Sequence, residues 1–270
     1  MVSKFSRRAL FVSAFVFSFC YFGSSFSYAE TMKTLKVGVV SGPEEELAII
    51  AKNIAKTKGI DVQLVNFDDY NLPNEALVGK DIDANAFQTL QFLNAQIKAR
   101  GYKLAVLGKT WIEPMGFYSN KIKKIQDLPN NAKIGVPNDP SNQGRALNVL
   151  AKNHLIALNK NAPALPSLGD IIDNPHHFQF VELDGSQLAR ALDDLTMTAI
   201  NTNYLLPAGI DPSSVLIQEG KENNPYANIL VVRQEDAHLP EMKLLVESFQ
   251  SDAVKKAMTD KFKGAILPAW

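Results

Sequence analysis

Cysteine is almost absent: Cys20 is the only one in 270 residues. It lies inside an N-terminal segment that reads as a signal, so the mature chain has no disulfide and no thiol chemistry. No sign of charge dominates. Lys+Arg and Asp+Glu stand at 28 each, and losing Lys4, Arg7 and Arg8 with the signal leaves 25 basic against 28 acidic residues, a net charge of −3. That balance argues against a nucleic-acid surface. Histidine is sparse (His154, His176, His177, His238), without a His-x-x-x-His pair or a carboxylate spacing suited to a metal. A Gly-x-Ser-x-Gly elbow, a phosphate-loop lysine signature and a dinucleotide fingerprint are all missing. No catalytic set, metal or cofactor is therefore expected. After residue 29 no apolar run is long enough to span a membrane.

What is present begins with an export signal. Lys4, Arg7 and Arg8 form a positive region, Ala9 to Phe22 is apolar, and Ser27-Tyr28-Ala29 is a small-x-small cleavage site before Glu30. The apolar run is short for a spanning helix. Cleavage after Ala29 removes 29 of the 270 residues and leaves 241 for the periplasm. Two alternatives keep the protein on the membrane: an uncleaved signal, or a lipid on Cys20, where Phe19 stands in place of the usual small residue.

Strand-like and helix-like segments then alternate. Leu35–Val40 reads as a buried strand, followed by a helix with Pro43 near its start and Glu44, Glu45 and Glu46 in its first turn. Strands at 62–67 and 84–87, a short helix at 72–78 and a helix at 92–100 come next, then strands at 102–107 and 115–118. A second series has strands at 134–136, 178–183 and 198–200 and helices at 145–155 and 186–195. A strand at 229–232 and helices at 241–249 and 251–262 close the chain, and 159–173 reads as a surface excursion. The alternation predicts mainly parallel sheets covered on both faces. The length suits two lobes.

The run Val136-Pro137-Asn138-Asp139-Pro140-Ser141-Asn142-Gln143-Gly144-Arg145 leads from a strand into a helix. A helix N-terminus favours an anion, and Arg145 can add a bidentate grip on a carboxylate. Read by itself, the commoner source of such a run is a plain capped helix, with Asp139 or Ser141 as cap and Arg145 in solvent. Tyr70, Phe87, Phe92 and Trp111 sit at or just beyond strand ends, where open α/β sheets form their ligand crevice. They could clamp an apolar side chain, or be ordinary core. Asn201 and Asn228 offer both donor and acceptor, yet each also suits a turn. Glu113 is a lone acid beside Pro114.

Several ordered motifs nonetheless resemble one family. They are Asn66-Phe67-Asp68-Asp69-Tyr70 with Leu72-Pro73-Asn74-Glu75-Ala76-Leu77, Asp81-Ile82-Asp83-Ala84-Asn85-Ala86-Phe87-Gln88, and Glu113-Pro114-Met115-Gly116-Phe117-Tyr118-Ser119. Pro137 to Asn142 with Arg145, Ile200-Asn201-Thr202 and Pro225-Tyr226-Ala227-Asn228 complete the set. From about Leu35 to Trp270 the chain resembles the NlpA family of methionine-binding proteins, solute-binding components of ABC importers. The resemblance implies an α/β, two-lobed periplasmic binding protein of type II-like fold with its ligand in the interlobe cleft. Lobe 1 would comprise 30–114 and 233–270 and lobe 2 would comprise 115–232, with crossings near Trp111–Ser119 and Asn228–Gln234. It implies that Arg145 pairs with the ligand carboxylate and that Asn142, Asn201 and Asn228 serve the polar end. Tyr70 and Phe87 would line the side-chain pocket. Two positions depart from the family pattern: Thr89 stands where His is usual, and Phe92 where Tyr is usual, so one wall of that pocket is changed.

The expected function is capture of methionine, in the L form, and delivery to a membrane permease and its ATPase by a monomeric, non-enzymatic protein. D-methionine, a methionine-containing dipeptide or another apolar amino acid are alternatives within that class. An enzyme built on the same scaffold, using Glu113 and a histidine, is the alternative outside it. Converging titratable groups in the cleft would favour that enzyme.

Overall fold

The computed structural model describes Met1 and residues 32–270, so the signal, its cleavage site and Cys20 lie outside the described residues. The first series runs β1 (Lys33–Val40), α1 (Pro43–Thr57), β2 (Ile60–Phe67), α2 (Leu72–Val78), β3 (Ala84–Thr89), α3 (Leu90–Arg100) and β4 (Leu104–Ile112). Helix α1 starts where the sequence places it, with Pro43 in its first turn and three glutamates beside it. The chain then enters a second body: β5 (Gly116–Tyr118), β6 (Lys133–Pro137), α4 (Pro140–Lys152), β7 (Ala157–Leu158), β8 (Ile171–Asp173), β9 (Gln179–Leu183), β10 (Met197–Ile200), α5 (Thr202–Leu205) and β11 (Ile217–Gln218). It returns through β12 (Ala227–Arg233), α6 (Pro240–Phe249), α7 (Asp252–Phe262) and β13 (Leu267–Pro268).

The strands form a six-stranded sheet, β13-β4-β12-β3-β1-β2, a five-stranded sheet, β11-β5-β10-β6-β9, and the small pair β7-β8. Each large sheet carries its own core. Val37, Val39, Trp111, Leu230 and Phe249 belong to the first, and Phe117, Ile134, Val136, Leu147 and Ala199 to the second. These are two lobes, joined at 113–115 and at 219–226.

Four expectations are corrected. The sheets are mixed: β12 runs antiparallel to both β3 and β4, and β5 antiparallel to β10. A chain that crosses between lobes and comes back enters its sheet from the opposite end. The second crossing also falls earlier than expected. Residues 227–232 are buried in the middle of the first sheet, as a continuous apolar strand between two neighbours should be. They therefore belong to lobe 1, not lobe 2. Finally, 186–195 is not one helix but two 3-10 turns, Gly185–Gln187 and Arg190–Asp193. The Thr198 hydroxyl donates to the Leu188 carbonyl at 3.1 Å, diverting an acceptor that an α-helix would use. Leu188 and Leu195 press so closely on Gly135 that a Cβ there would meet them at 3.0 and 2.8 Å. The 159–173 excursion is likewise not all surface: Leu165 lies over α4, where a Cβ on Gly144 would come within 2.8 Å of its Cα.

Candidate functional site

A small cavity lies between the lobes. Tyr70, Phe87, Thr89 and Phe92 line it from lobe 1, with Gln88, Glu44 at the start of α1, and Asn228 on β12. Asn142, Arg145 and Asn201 line it from lobe 2, and Glu113 from the first crossing. All eight site residues named from the sequence thus meet at one place.

One end is aromatic. Tyr70 stands 5.9 Å from both Phe87 and Phe92, ring centre to ring centre, and Phe87 and Phe92 meet edge to face at 5.8 Å. Tyr204, which the sequence did not single out, completes the box at 5.1 Å from Tyr70. Trp111 does not join it; fully buried, it stacks on Phe249 in the core of lobe 1. Thr89 has a second duty: its hydroxyl accepts the Phe92 backbone N–H at 3.2 Å and caps α3. The cap fixes the first turn of α3 and so the position of the Phe92 ring. The wall behind Phe87 and Thr89 is stiffened by a buried amide network, in which Gln88 Nε2 donates to Asn74 Oδ1 at 2.6 Å and to Asn85 Oδ1 at 3.0 Å.

The other end is ionic, and it differs from the sequence picture. Asp139 caps α4, accepting the Asn142 N–H at 2.9 Å, so the helix N-terminus holds the protein's own carboxylate and not a free anion site. Arg145 is neither solvated nor a free cation. Its Nε and Nη2 reach the two oxygens of Glu219 at 2.9 and 2.8 Å, a buried bidentate pair. Nη2 also donates to the Glu113 carbonyl at 3.1 Å and Nη1 to Asn142 Oδ1 at 3.2 Å. The Tyr226 ring covers the guanidinium at 4.5 Å. Of five guanidinium N–H groups, these bonds leave one on Nη1 for a ligand. Burial pushes the Glu219 carboxyl up, but the Arg145 charge and its hydrogen bonds outweigh this and hold it below the ordinary glutamate value. Arg145 ties both crossings together, since Glu219 also accepts the Met115 N–H at 3.0 Å.

Two carboxyls complete the site and were not assigned to it from the sequence. Glu44 reads there as a first-turn acid answering the helix dipole, and Glu113 as a lone acid. Both are buried, at 1% and 6% exposure. Burial raises the Glu44 carboxyl well above its usual value, and the neighbouring Glu113 adds to the shift. Burial likewise pushes Glu113 up to about 8, against the pull of Arg145.

The lobes touch around the cavity. The Tyr70 hydroxyl donates to Asn203 Oδ1 at 2.5 Å and Gln91 Nε2 to the Pro225 carbonyl at 3.1 Å. Two α/β lobes, joined by two crossings and shut over a small cavity with one apolar and one ionic end, define a solute-binding protein of the periplasmic type. Residues 35–270 match the NlpA lipoprotein family, and the chain belongs to it. A D-methionine-binding lipoprotein MetQ of Salmonella typhi is 43% identical over 239 residues, covering 87% of this chain and 88% of its own. A nutrient binding protein from Burkholderia cenocepacia, whose structure is bound to methionine, superposes with a TM-score of 0.85 at 40% identity, over 87% of this chain and all of its own. A periplasmic substrate-binding protein of an ABC transporter from Coxiella burnetii gives 0.84 at 46% identity, again over 87% of this chain and 100% of its own.

Proposed function

We propose that the protein captures methionine, in its L form, outside the cytoplasm and hands it to an ABC permease and ATPase without changing it chemically. The observation that carries this is the two-ended cavity. A thioether tail suits the Tyr70–Phe87–Phe92 box, because sulfur makes favourable contacts with ring edges. The charged end suits an α-amino acid headgroup: the spare Arg145 N–H and the amides of Asn142, Asn201 and Asn228 offer donors to a carboxylate. The relatives named for methionine support the same ligand. Titration calorimetry of refolded, ligand-stripped protein against L-methionine, D-methionine and a panel of apolar amino acids tests it. L-methionine is expected to bind most tightly. Absence of heat with either methionine would remove the assignment, and a tighter D form would reverse the stereochemistry. Added to vesicles carrying the cognate importer, the protein should stimulate methionine uptake.

The buried pair Glu44 and Glu113 is the one observation that favours an enzyme. Against it, no histidine lines the cavity and no group of residues suited to a metal occurs among the described residues. Methionine recovered unchanged after long incubation at catalytic ratios is the expected result. For the N-terminus, we infer cleavage after Ala29. Intact mass of protein from the native host should begin at Glu30, whereas a diacylated or triacylated Cys20, in keeping with relatives named lipoproteins, would overturn it.

A further inference from the structure

Away from the ligand cavity, the lobes leave a second groove on their flank. Tyr118, Leu206, Pro212 and Val215 wall it from lobe 2, and Phe262 and Ala265, where α7 ends, wall it from lobe 1. Its lobe 2 wall is tightly built. A Cβ on Gly116 would lie 2.7 Å from Val215 Cγ2 and 3.0 Å from Tyr118 Cε2, so a glycine lets these two side chains close over β5. The Thr202 hydroxyl donates to the Pro114 carbonyl at 3.0 Å and holds the first crossing against α5 at the groove. From the second crossing the Lys221 ammonium reaches lobe 1, donating to the Gly264 carbonyl at 2.8 Å.

The polar groups of the groove are divided by sign. Lys221, Lys261 and Lys263 stand on the lobe 1 side. Lys261 pairs with Glu46 at 2.8 Å, whereas Lys221 and Lys263 meet no carboxylate among the described residues. The carbonyls where α7 ends are already met: Lys263 N–H donates to Thr259, Ala265 N–H to Phe262 and Lys221 to Gly264. The helix end therefore leaves most of the two ammonium charges unanswered. Asp211, the acid lining the groove, is on the lobe 2 side, with both oxygens held by Ser213 at 2.8 and 2.7 Å. An apolar trough with free cations along one lip suits an anion with an apolar tail. The tail removes wall surface from water, and an ammonium makes its stronger hydrogen bonds to a carboxylate.

We propose that this groove is a second binding site, for a small carboxylate of the fatty-acid type. Its tail lies between Tyr118, Leu206 and Val215 on one side and Phe262 on the other, and its carboxylate meets Lys221 and Lys263. Both lobes supply walls, so such a ligand fits the spacing that the closed lobes give. A ligand with higher affinity for one state shifts the protein toward that state. An apolar acid in the groove therefore tightens methionine binding, and methionine tightens binding of the acid by the same factor.

Octanoate and octanol, titrated into isotope-labelled protein and followed by amide shifts and calorimetry, test the site. Octanoate should move the amides of Leu206, Val215, Phe262 and Ala265, and octanol should bind about tenfold more weakly. Lys221→Gln with Lys263→Gln should weaken octanoate by about tenfold and leave octanol unchanged. The glutamine at 221 keeps a donor for the Gly264 carbonyl, and methionine affinity without octanoate should be that of the wild type. At saturating octanoate, methionine should bind about fivefold more tightly. Octanoate shifting Phe87 and Arg145 and weakening methionine would sit in the ligand cavity, which overturns the groove. Equal binding of octanoate and octanol, or octanoate affinity unchanged in the double variant, overturns the carboxylate contact. Groove shifts without any change in methionine affinity overturn the coupling. No octanoate binding overturns the whole proposal while methionine capture stands.

Discussion

Arg145→Ala should lose both ligand affinity and stability, by mechanisms a second substitution separates. The guanidinium is 4% exposed and grips Glu219 with two N–H groups, while further N–H groups hold Asn142 and the Glu113 carbonyl. Removing it strands a carboxylate at 6% exposure. Breaking one side of a buried pair in this way costs roughly 3–5 kcal/mol of folding stability. Two remaining donors, the Met115 N–H and Asn224 Nδ2, keep the loss toward the lower figure. Loss of the remaining N–H and of the brace on Asn142 should weaken methionine binding by roughly 2–5 kcal/mol. Chemical denaturation and calorimetry on Arg145→Ala, Glu219→Gln and the double variant read the two effects apart. The double variant has no stranded charge and should regain much of the stability without regaining affinity. If affinity returned with stability, Arg145 would act only through the fold; if neither changed in the single variant, the ion pair would be dispensable.

The pH profile of the wild type follows from the same pair. Glu219 is held below its usual value in the folded state, so its contribution is present above the ordinary glutamate pKa and is lost as pH falls through the lower, folded value. The Arg145 variants lack this acid-side loss.

The ionic end also shows what a sequence can and cannot carry. Strand and helix periods read locally, and they place Phe87 at the end of β3, Arg145 on α4 and Asn201 after β10 with little error. The aromatic box was legible because its rings cluster at strand ends. Glu219 was not, because its meaning depends on a partner 74 residues away, and no local pattern distinguishes it from a surface acid. Glu44 carried a misleading signal: an acid in the first turn of a helix already has a sufficient local explanation. Trp111 failed the other way, since a strand-end aromatic in a mixed sheet can face the core as readily as the crevice. The 186–195 segment has helical spacing of leucines, but the spacing cannot show that Gly135 draws them against the sheet. What was missed is of one kind, namely pairings between segments far apart in sequence, made only when the chain folds.

Closure itself depends on a residue with no side chain. Gly42 joins β1 to α1 with φ +116°, a conformation open to glycine and strained for any other residue. A Cβ there would lie 3.0 Å from the Asn203 carbonyl oxygen and 3.0 Å from Pro207 Cγ, both on lobe 2. The first turn of α1 carries Glu44 to the cavity, so Gly42 sits where the two lobes approach each other beside the site. Gly42→Ala should therefore act on the closed state more than on either lobe. Backbone strain accounts for about 1–3 kcal/mol, part of it relieved if the lobes stay apart. If the closed, binding-competent form falls to a tenth of its population, the apparent affinity falls tenfold with the lobes otherwise intact. Small-angle scattering with saturating methionine is the direct measurement: the wild type should hold compact dimensions, and the variant should remain more extended, with methionine affinity reduced by about tenfold or more. Equal compaction and equal affinity in Gly42→Ala would show that the lobes can meet without this close approach, and would move the control of closure to the Tyr70–Asn203 contact instead.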